Sequence, residues 1–151
     1  MLETPHALVG MAIATKIPNP LISIPLAFTS HFILDMVPHW NPHINTELKK
    51  HGKITNKSVS IIVGDLFIAG ASTLAISSSV NDVNMYVLII AAAAAIMPDA
   101  IEAPYFFLKS RNKLLLKYVK FQKSIQVDAD FWPGVVTQIA VGAAALLWLL
   151  G

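Results

Sequence analysis

The strongest constraint on the fold is a long stretch without basic side chains. Between Lys57 and Lys109 the chain has no lysine or arginine. Over all 151 residues, 55% are hydrophobic and 13% are charged, whereas a soluble domain has about 25% charged residues. Several apolar runs approach the ~20 residues that a membrane crossing needs. These features predict an integral membrane protein of one domain, residues 1–151.

The apolar pattern predicts an all-α, polytopic protein with four to five membrane helices, one of them short or half-spanning. The segments run over about 5–17, 20–37, 57–79, 83–104 and 130–150, with a turn near Asn81. Thr4 and Pro5 indicate the start of the first helix, as N-cap and first helical residue. Residues 41–57 are expected to form a polar loop. The basic segment 109–123 is typical of an amphipathic helix at the membrane interface.

The distribution of lysines predicts the orientation. Both basic segments, 41–57 and 109–123, belong in the cytoplasm by the positive-inside rule, whereas the turn near Asn81 has no basic residue. The expected location is the inner membrane, with several crossings. Gly64, Gly70 and the alanine run at 91–95 are expected to allow close helix packing. The N-terminus has no basic region and does not resemble a cleavable signal peptide.

Polar residues interrupt the apolar segments at one predicted depth. His31, Asp35 and His39 are spaced by four, and residues i and i+4 lie on one face of a helix. The predicted topology brings His6, Asp65 and Asp99 to the same cytoplasmic depth. An aspartate at the bilayer centre costs about 2.5–3.5 kcal/mol, and no Lys or Arg lies nearby to compensate. Imidazole with carboxylate is a ligand mixture that zinc and related divalent ions favour.

The sequence therefore predicts a cytoplasm-facing site that holds one or two divalent ions, with zinc as the preferred metal. Three of the candidate ligands also have a purely structural interpretation: His31 is then a buried histidine with satisfied hydrogen bonds, Asp65 a polar packing group, and Asp99 a helix-end cap. His6 could face water. Glu102, one turn beyond Asp99, is the candidate general base.

The motifs Thr4-Pro5-His6, Ser30-His31, Leu34-Asp35, Pro38-His39 and Met97-Pro98-Asp99, with the isolated Asp65, resemble a known family. It comprises small bacterial inner-membrane metal-dependent hydrolases, including those described as LexA-binding. The His-x-x-x-Asp element is distantly similar to zinc-dependent phospholipase C. The resemblance implies metal ligands at His6, His31, Asp35, His39, Asp65 and Asp99. The chain departs from the phospholipase pattern after His51, where no further histidine occurs and 121–126 offers only glutamines.

Three functions follow as alternatives. The first is metal-assisted hydrolysis of phosphoesters or phospholipid headgroups, with Lys109 and Arg111 expected to attract the anionic substrate. The second is a non-catalytic, metal-stabilised structural or interaction module, and the third is a proton or cation pathway. Membrane lipids are expected partners, and an oligomer is left open. The net charge of +2 gives no reason to expect nucleic acid, and the absence of cysteine excludes thiolate catalysis and Cys-type zinc sites.

Overall fold

A computed structural model describes residues 1–80 and 82–151, and only the backbone of Leu150. The helices and strands that these residues form are all α-helices, as predicted. The helices are α1 (Glu3–Lys16), α2 (Pro20–Asp35), α3 (Ile44–His51), α4 (Asn56–Ser79), α5 (Met85–Phe107), α6 (Lys113–Ile125) and α7 (Phe131–Leu150). The turn predicted at Asn81 lies outside the described residues.

Three helices are long and apolar enough to cross a membrane: Asn56–Ser79, Met85–Phe107 and Phe131–Leu149. Large apolar side chains are exposed over the surface of the chain, including Leu21, Phe67, Trp132 and Leu147, which are 74–84% exposed. A soluble monomer rarely exposes apolar surface on this scale. α2 is apolar but has 16 residues. The larger predicted number of four to five crossings and the interfacial position of α6 stay predictions.

α1 is the central helix of the fold. It packs against α2, α4, α5 and α7, and it buries Ala7, Leu8 and Met11. Its 14 residues span only ~21 Å at 1.5 Å per residue, which is shorter than a bilayer core. The predicted short helix is thus enclosed by the others, and the core lies around it.

The start of α1 differs from the sequence prediction. The N-cap residue is Leu2, which makes no side-chain cap, and Thr4 lies inside the helix. Asp65 of α4 supplies the missing acceptor instead: its Oδ2 accepts the Glu3 N–H at 2.5 Å and the Thr4 N–H at 3.3 Å. The first N–H groups of a helix need such partners, and the prediction failed because the partner is distant in sequence.

One other local prediction is wrong, and one structural alternative does not hold. The segment 41–57 is not one loop, because α3 lies within it and Glu47 of α3 accepts hydrogen bonds from Thr55 N at 2.8 Å and Ser58 Oγ at 2.7 Å. α5 continues through Pro98 and Pro104 to Phe107, so Asp99 lies within a helix and is not a helix-end cap.

Close helix packing depends on different glycines from those predicted. A Cβ built on Gly64 or Gly70 has no neighbour within 4 Å in the chain, whereas one on Gly10 lies 2.6 Å from the Ala91 oxygen. At Gly134 it would overlap the backbone of Trp40 and lie 2.8 Å from the His39 carbonyl carbon. The predicted alanine run does pack closely, with Ala91 among its buried residues.

The Gly134 contact generates a stability prediction. Gly134→Ala is expected to lower the melting temperature in detergent, because overpacking costs about 1–3 kcal/mol. Gly142→Ala is the matched control in the same helix, since its added Cβ meets only Leu8 Cδ1 at 3.6 Å and makes the same change in helix propensity. Equal melting temperatures for the two variants would contradict a tight α7 contact at residues 39–40.

Candidate metal centre

Asp35, the last residue of α2, lies at the centre of a buried group of histidines. Its Oδ1 is 3.4 Å from His6 Nε2 and 3.6 Å from His39 Nε2, and its Oδ2 is 3.6 Å from His31 Nε2. The backbone nitrogen of Met1 also contacts Oδ1. All four side chains are 0–2% exposed. The helical spacing of four therefore brings His31 and Asp35 together, α1 adds His6, and His39 reaches the group from beyond the end of α2.

Backbone hydrogen bonds hold His39 in place beyond the end of α2. The His39 N–H donates to the Val127 oxygen at 3.1 Å, and the Ala129 N–H donates to the His39 oxygen at 2.8 Å. The Val127 N–H donates to the Asp35 oxygen at 3.0 Å. The segment before α7 thus fixes the chain on which Asp35 and His39 lie.

Two of the histidines have their Nδ1 atoms bound to backbone carbonyls. His31 Nδ1 lies 2.8 Å from the Ala95 oxygen and His39 Nδ1 lies 2.7 Å from the Val37 oxygen. A carbonyl can only accept, so Nδ1 carries the hydrogen and, in the neutral ring, Nε2 presents a lone pair. Burial lowers the pKa of His39 below its usual range, which favours the neutral ring. This arrangement, with Nδ1–H on a carbonyl and Nε2 directed inward, is typical of metal-binding histidines.

His6 is the least satisfied of the buried polar residues. It is fully buried, and neither ring nitrogen has a hydrogen-bond partner; His31 Nε2 also has none. The two rings stack with centroids 4.0 Å apart, a separation at which two positive charges would repel by roughly 4 kcal/mol at an effective dielectric of 20. Two neutral rings with inward lone pairs fit a shared cation better.

The spacing of the donor atoms agrees with a metal ion. Two ligands about 2.0–2.1 Å from a tetrahedral zinc are roughly 3.3–3.5 Å apart. The His6–Asp35 and His31–Asp35 separations are 3.4 and 3.6 Å, and one ligand atom from each of these three residues lies within 4.8 Å of the others. The Nε2 of His39 is less available to an ion, because it also lies 3.3 Å from Asn41 Nδ2. The donor set thus fits a divalent cation.

Asp99 of α5 extends this group toward solvent. Its Oδ1 is 3.2 Å from His31 Nε2, and 27% of its side chain is exposed. Gln122 of α6 donates from Nε2 to the same Oδ1 at 2.8 Å, and Gln122 Oε1 accepts from Tyr118 Oη at 3.2 Å. Burial, with the charges of Glu102 and Asp99, raises the pKa of Tyr118 to about 12, so its hydroxyl stays a donor. The Asp99 carboxylate can only accept, so it fixes the amide with Nε2 toward it, while the Tyr118 hydroxyl lies 3.2 Å from both Gln122 Oε1 and the Pro98 oxygen.

The other two predicted residues lie beside the histidine group. The Asp65 carboxylate binds the start of α1, where its Oδ1 also accepts the Thr4 hydroxyl at 2.6 Å. The structure does not bring Asp65 to the histidines. Glu102 lines a cavity of about 360 Å³ that also includes Asp65 and Asp99. Its Oε1 is buried without a hydrogen-bond partner.

Sequence reasoning missed three polar residues here. Glu3 lines the cavity, and its Oε2 is buried without a hydrogen-bond partner; its place at the chain start gave no signal. Gln122 is the glutamine at which a late histidine was sought. Gln138 of α7 accepts from the Leu2 N–H at 2.7 Å and donates to the Trp40 oxygen at 2.9 Å; a lone glutamine in an apolar helix was the available clue.

Comparison of the chain with protein-family models, with curated proteins and with solved structures gives no match. The family resemblance of its motifs therefore stays a prediction.

The Gln122 contact generates a prediction about metal affinity. Gln122→Leu removes the donor that orients Asp99 and is expected to weaken metal binding 10–100-fold, the usual effect of losing a group that orients a ligand. Chelator competition on the purified protein measures it. Gln126→Leu is the control, because Gln126 pairs only with Lys123 at the surface, at 3.3 Å. Unchanged affinity in Gln122→Leu would show that Asp99 needs no support from α6.

Proposed function

We propose that the chain is a membrane-embedded, metal-dependent hydrolase that acts on phosphoesters or phospholipid headgroups at the cytoplasmic face of the inner membrane. One observation carries this proposal: His6, His31 and Asp35 form a buried imidazole–carboxylate group with unpartnered nitrogens. Through Asp99, which is partly exposed, the group reaches a cavity of about 360 Å³. A ligand cavity of this volume accommodates a small molecule or a lipid headgroup.

His6, His31, Asp35 and His39 are the residues that would hold the ion, with zinc as the preferred metal, and Asp99 is the link to the cavity. A bound divalent ion supplies Lewis acidity toward water and a phosphoryl oxygen. Glu102 lines the same cavity and is positioned to take a proton from the attacking water. As the water oxygen bonds to phosphorus and the ester P–O bond breaks, Glu102 returns that proton to the leaving oxygen.

The orientation of the site rests on the positions of basic residues. α3 and α6 carry Lys49, Lys50, Lys117 and Lys120, and they join to the ends of α4 and α5 nearest to the site. The positive-inside rule places these segments in the cytoplasm. Lys109 and Arg111, just before α6, would attract anionic headgroups.

A non-catalytic, metal-stabilised module is the second candidate, and one observation favours it. The cavity lining includes Asp99 and Glu102 but none of the residues of the His6–His31–Asp35 group, and a catalytic zinc needs an open coordination position. In this alternative the ion only joins α1 to α2. A proton or cation pathway is the third, and it predicts protein without bound metal.

Metal content separates these alternatives. Elemental analysis of detergent-purified protein is expected to find at least one equivalent of zinc or a related divalent ion per chain. Asp35→Asn is expected to lose it, because Asp35 contacts three of the histidines. Asp128→Asn, a surface carboxylate paired with Lys123, is expected to retain it. Wild-type protein without stoichiometric metal would reject the first two functions in favour of the pathway.

Catalysis is tested separately with a soluble chromogenic phosphodiester and with phospholipid vesicles. Glu102→Gln is expected to lower kcat by 10²–10⁴, the usual contribution of a positioned general base, while metal content stays unchanged. Glu47→Gln serves as the matched control, because Glu47 binds only the start of α4. Metal-loaded wild-type protein that hydrolyses neither substrate would support the structural module.

A further inference from the structure

The cavity beside the histidine group has a polar wall and an apolar wall. The polar wall includes the carboxyl groups of Glu3, Asp99 and Glu102. The apolar wall comes from α4 and α5, two of the helices that are long and apolar enough to cross a membrane. Its side chains include Ile62 and Leu66 of α4 and Ile96, Ala100, Ala103 and Phe107 of α5. A molecule that fills this cavity must therefore present both polar and apolar surface.

The helical repeat separates the two walls on α5. From Ile96 to Phe107 the apolar residues named above follow at intervals of four, three and four residues, which is the spacing of one helix face. Asp99 and Glu102 are three residues apart and share the neighbouring face. An apolar strip thus runs beside an acidic one along the same helix, and both line the cavity.

The apolar wall is continuous with the outer surface of the protein. Leu66 and Phe107 line the cavity, yet they are 44% and 48% exposed. Their neighbours Val63 and Phe67 on α4 are exposed as well. On a helix that crosses a membrane, exposed apolar side chains of this kind face lipid. The cavity is therefore bordered by surface that lipid chains cover.

Polarity changes along α4 and α5 as it does along a lipid molecule. α4 has no Asp, Glu, His, Lys or Arg after Asp65, and α5 has none before Asp99. Leu66 and Ile96 lie on the far side of these aspartates, toward the middle of each helix. A lipid with its headgroup at the polar wall would place its chain past Leu66 and Ile96, in the direction of the bilayer interior.

We propose that the cavity binds a membrane phospholipid, with the headgroup at the polar wall and the start of one acyl chain between α4 and α5. This inference rests on the proposed function and names its substrate class, a phosphoester that reaches the site from the bilayer and not from water. Each methylene that the apolar wall buries is expected to strengthen binding about fourfold. A soluble phosphoester with the same headgroup lacks this contribution.

The test uses phosphatidylethanolamine as the probe, because its ammonium group suits the carboxyl groups of the polar wall. Native mass spectrometry of delipidated, detergent-purified protein counts bound lipid without any assay of activity, and the wild type is expected to bind one molecule per chain. Leu66→Trp is expected to weaken this binding at least 10-fold, because the larger side chain displaces the acyl chain, and losing two buried methylenes at about fourfold each exceeds that factor.

Leu74→Trp is the matched control. It makes the same substitution on the same helix at a residue that is 61% exposed and lies outside the cavity lining. Its affinity for phosphatidylethanolamine is expected to equal that of the wild type, and both variants are expected to keep their metal content. Equal affinities in Leu66→Trp and Leu74→Trp would overturn the assignment of the chain to this cavity.

A second comparison needs only the wild type and separates the inference from the proposed function. Glycerophosphoethanolamine has the same headgroup without acyl chains, and its kcat/KM is expected to be at least 10-fold lower than that of phosphatidylethanolamine in the same detergent. Equal hydrolysis of both compounds overturns the inference and leaves the proposed function intact. Metal-loaded protein that binds the lipid but hydrolyses neither compound overturns the proposed function and supports the lipid site.

Discussion

The buried carboxylate of Asp35 is the interaction on which the rest of the site depends. A charge withdrawn from water in this way is tolerated only when partners surround it. The Met1 nitrogen contacts it directly, and three imidazoles surround it from separate parts of the chain: His6 from α1, His31 from α2 itself, and His39 from the segment tied to residues 127–129. Because the His31 and His39 rings direct lone pairs toward the carboxylate, the arrangement fits a cation shared by all of them. Their convergence explains why a helix as short as α1 lies at the centre of the protein. Its first turn must reach Asp35 while its apolar face packs against the longer helices.

The sequence predicted this site well where a single helix determines the geometry. His31 and Asp35 share one face of α2 because of their spacing, and the apolar composition places that face in a low-dielectric region. His6 and Asp99 were grouped with them through a topology derived from lysines, and the structure does place both beside His31 and Asp35. Depth does not determine which way a side chain points around its helix. Asp65 shows the consequence: it was predicted at the same depth as the histidines but binds the start of α1.

The contacts that sequence could not predict are those between distant segments with no periodic signal. Gln122 was read as the absence of a histidine, yet its amide donates to Asp99 and lies beside the Tyr118 hydroxyl. Gln138 connects residues 2 and 40 across the fold. The backbone of residues 39–40 leaves no room for a Cβ at Gly134. A Cβ at Gly64 or Gly70 would have no neighbour within 4 Å in the chain, although these glycines fit a packing motif equally well. Such roles depend on which helices become neighbours, and no local pattern encodes that choice.

The distribution of titratable groups also weighs against a proton pathway through the membrane. Acidic and imidazole side chains are concentrated at one end of the helices. From Asp65 to the end of α4 at Ser79 there is no Asp, Glu, His, Lys or Arg, a distance of roughly 21 Å at 1.5 Å per residue. α7 has none over its whole length, and α5 has none before Asp99. Proton relays in membranes use chains of Asp, Glu and His side chains, and these helices contain such groups only near the cavity. A site that ends inside the protein is better suited to binding a cation and a substrate than to conducting either across the bilayer.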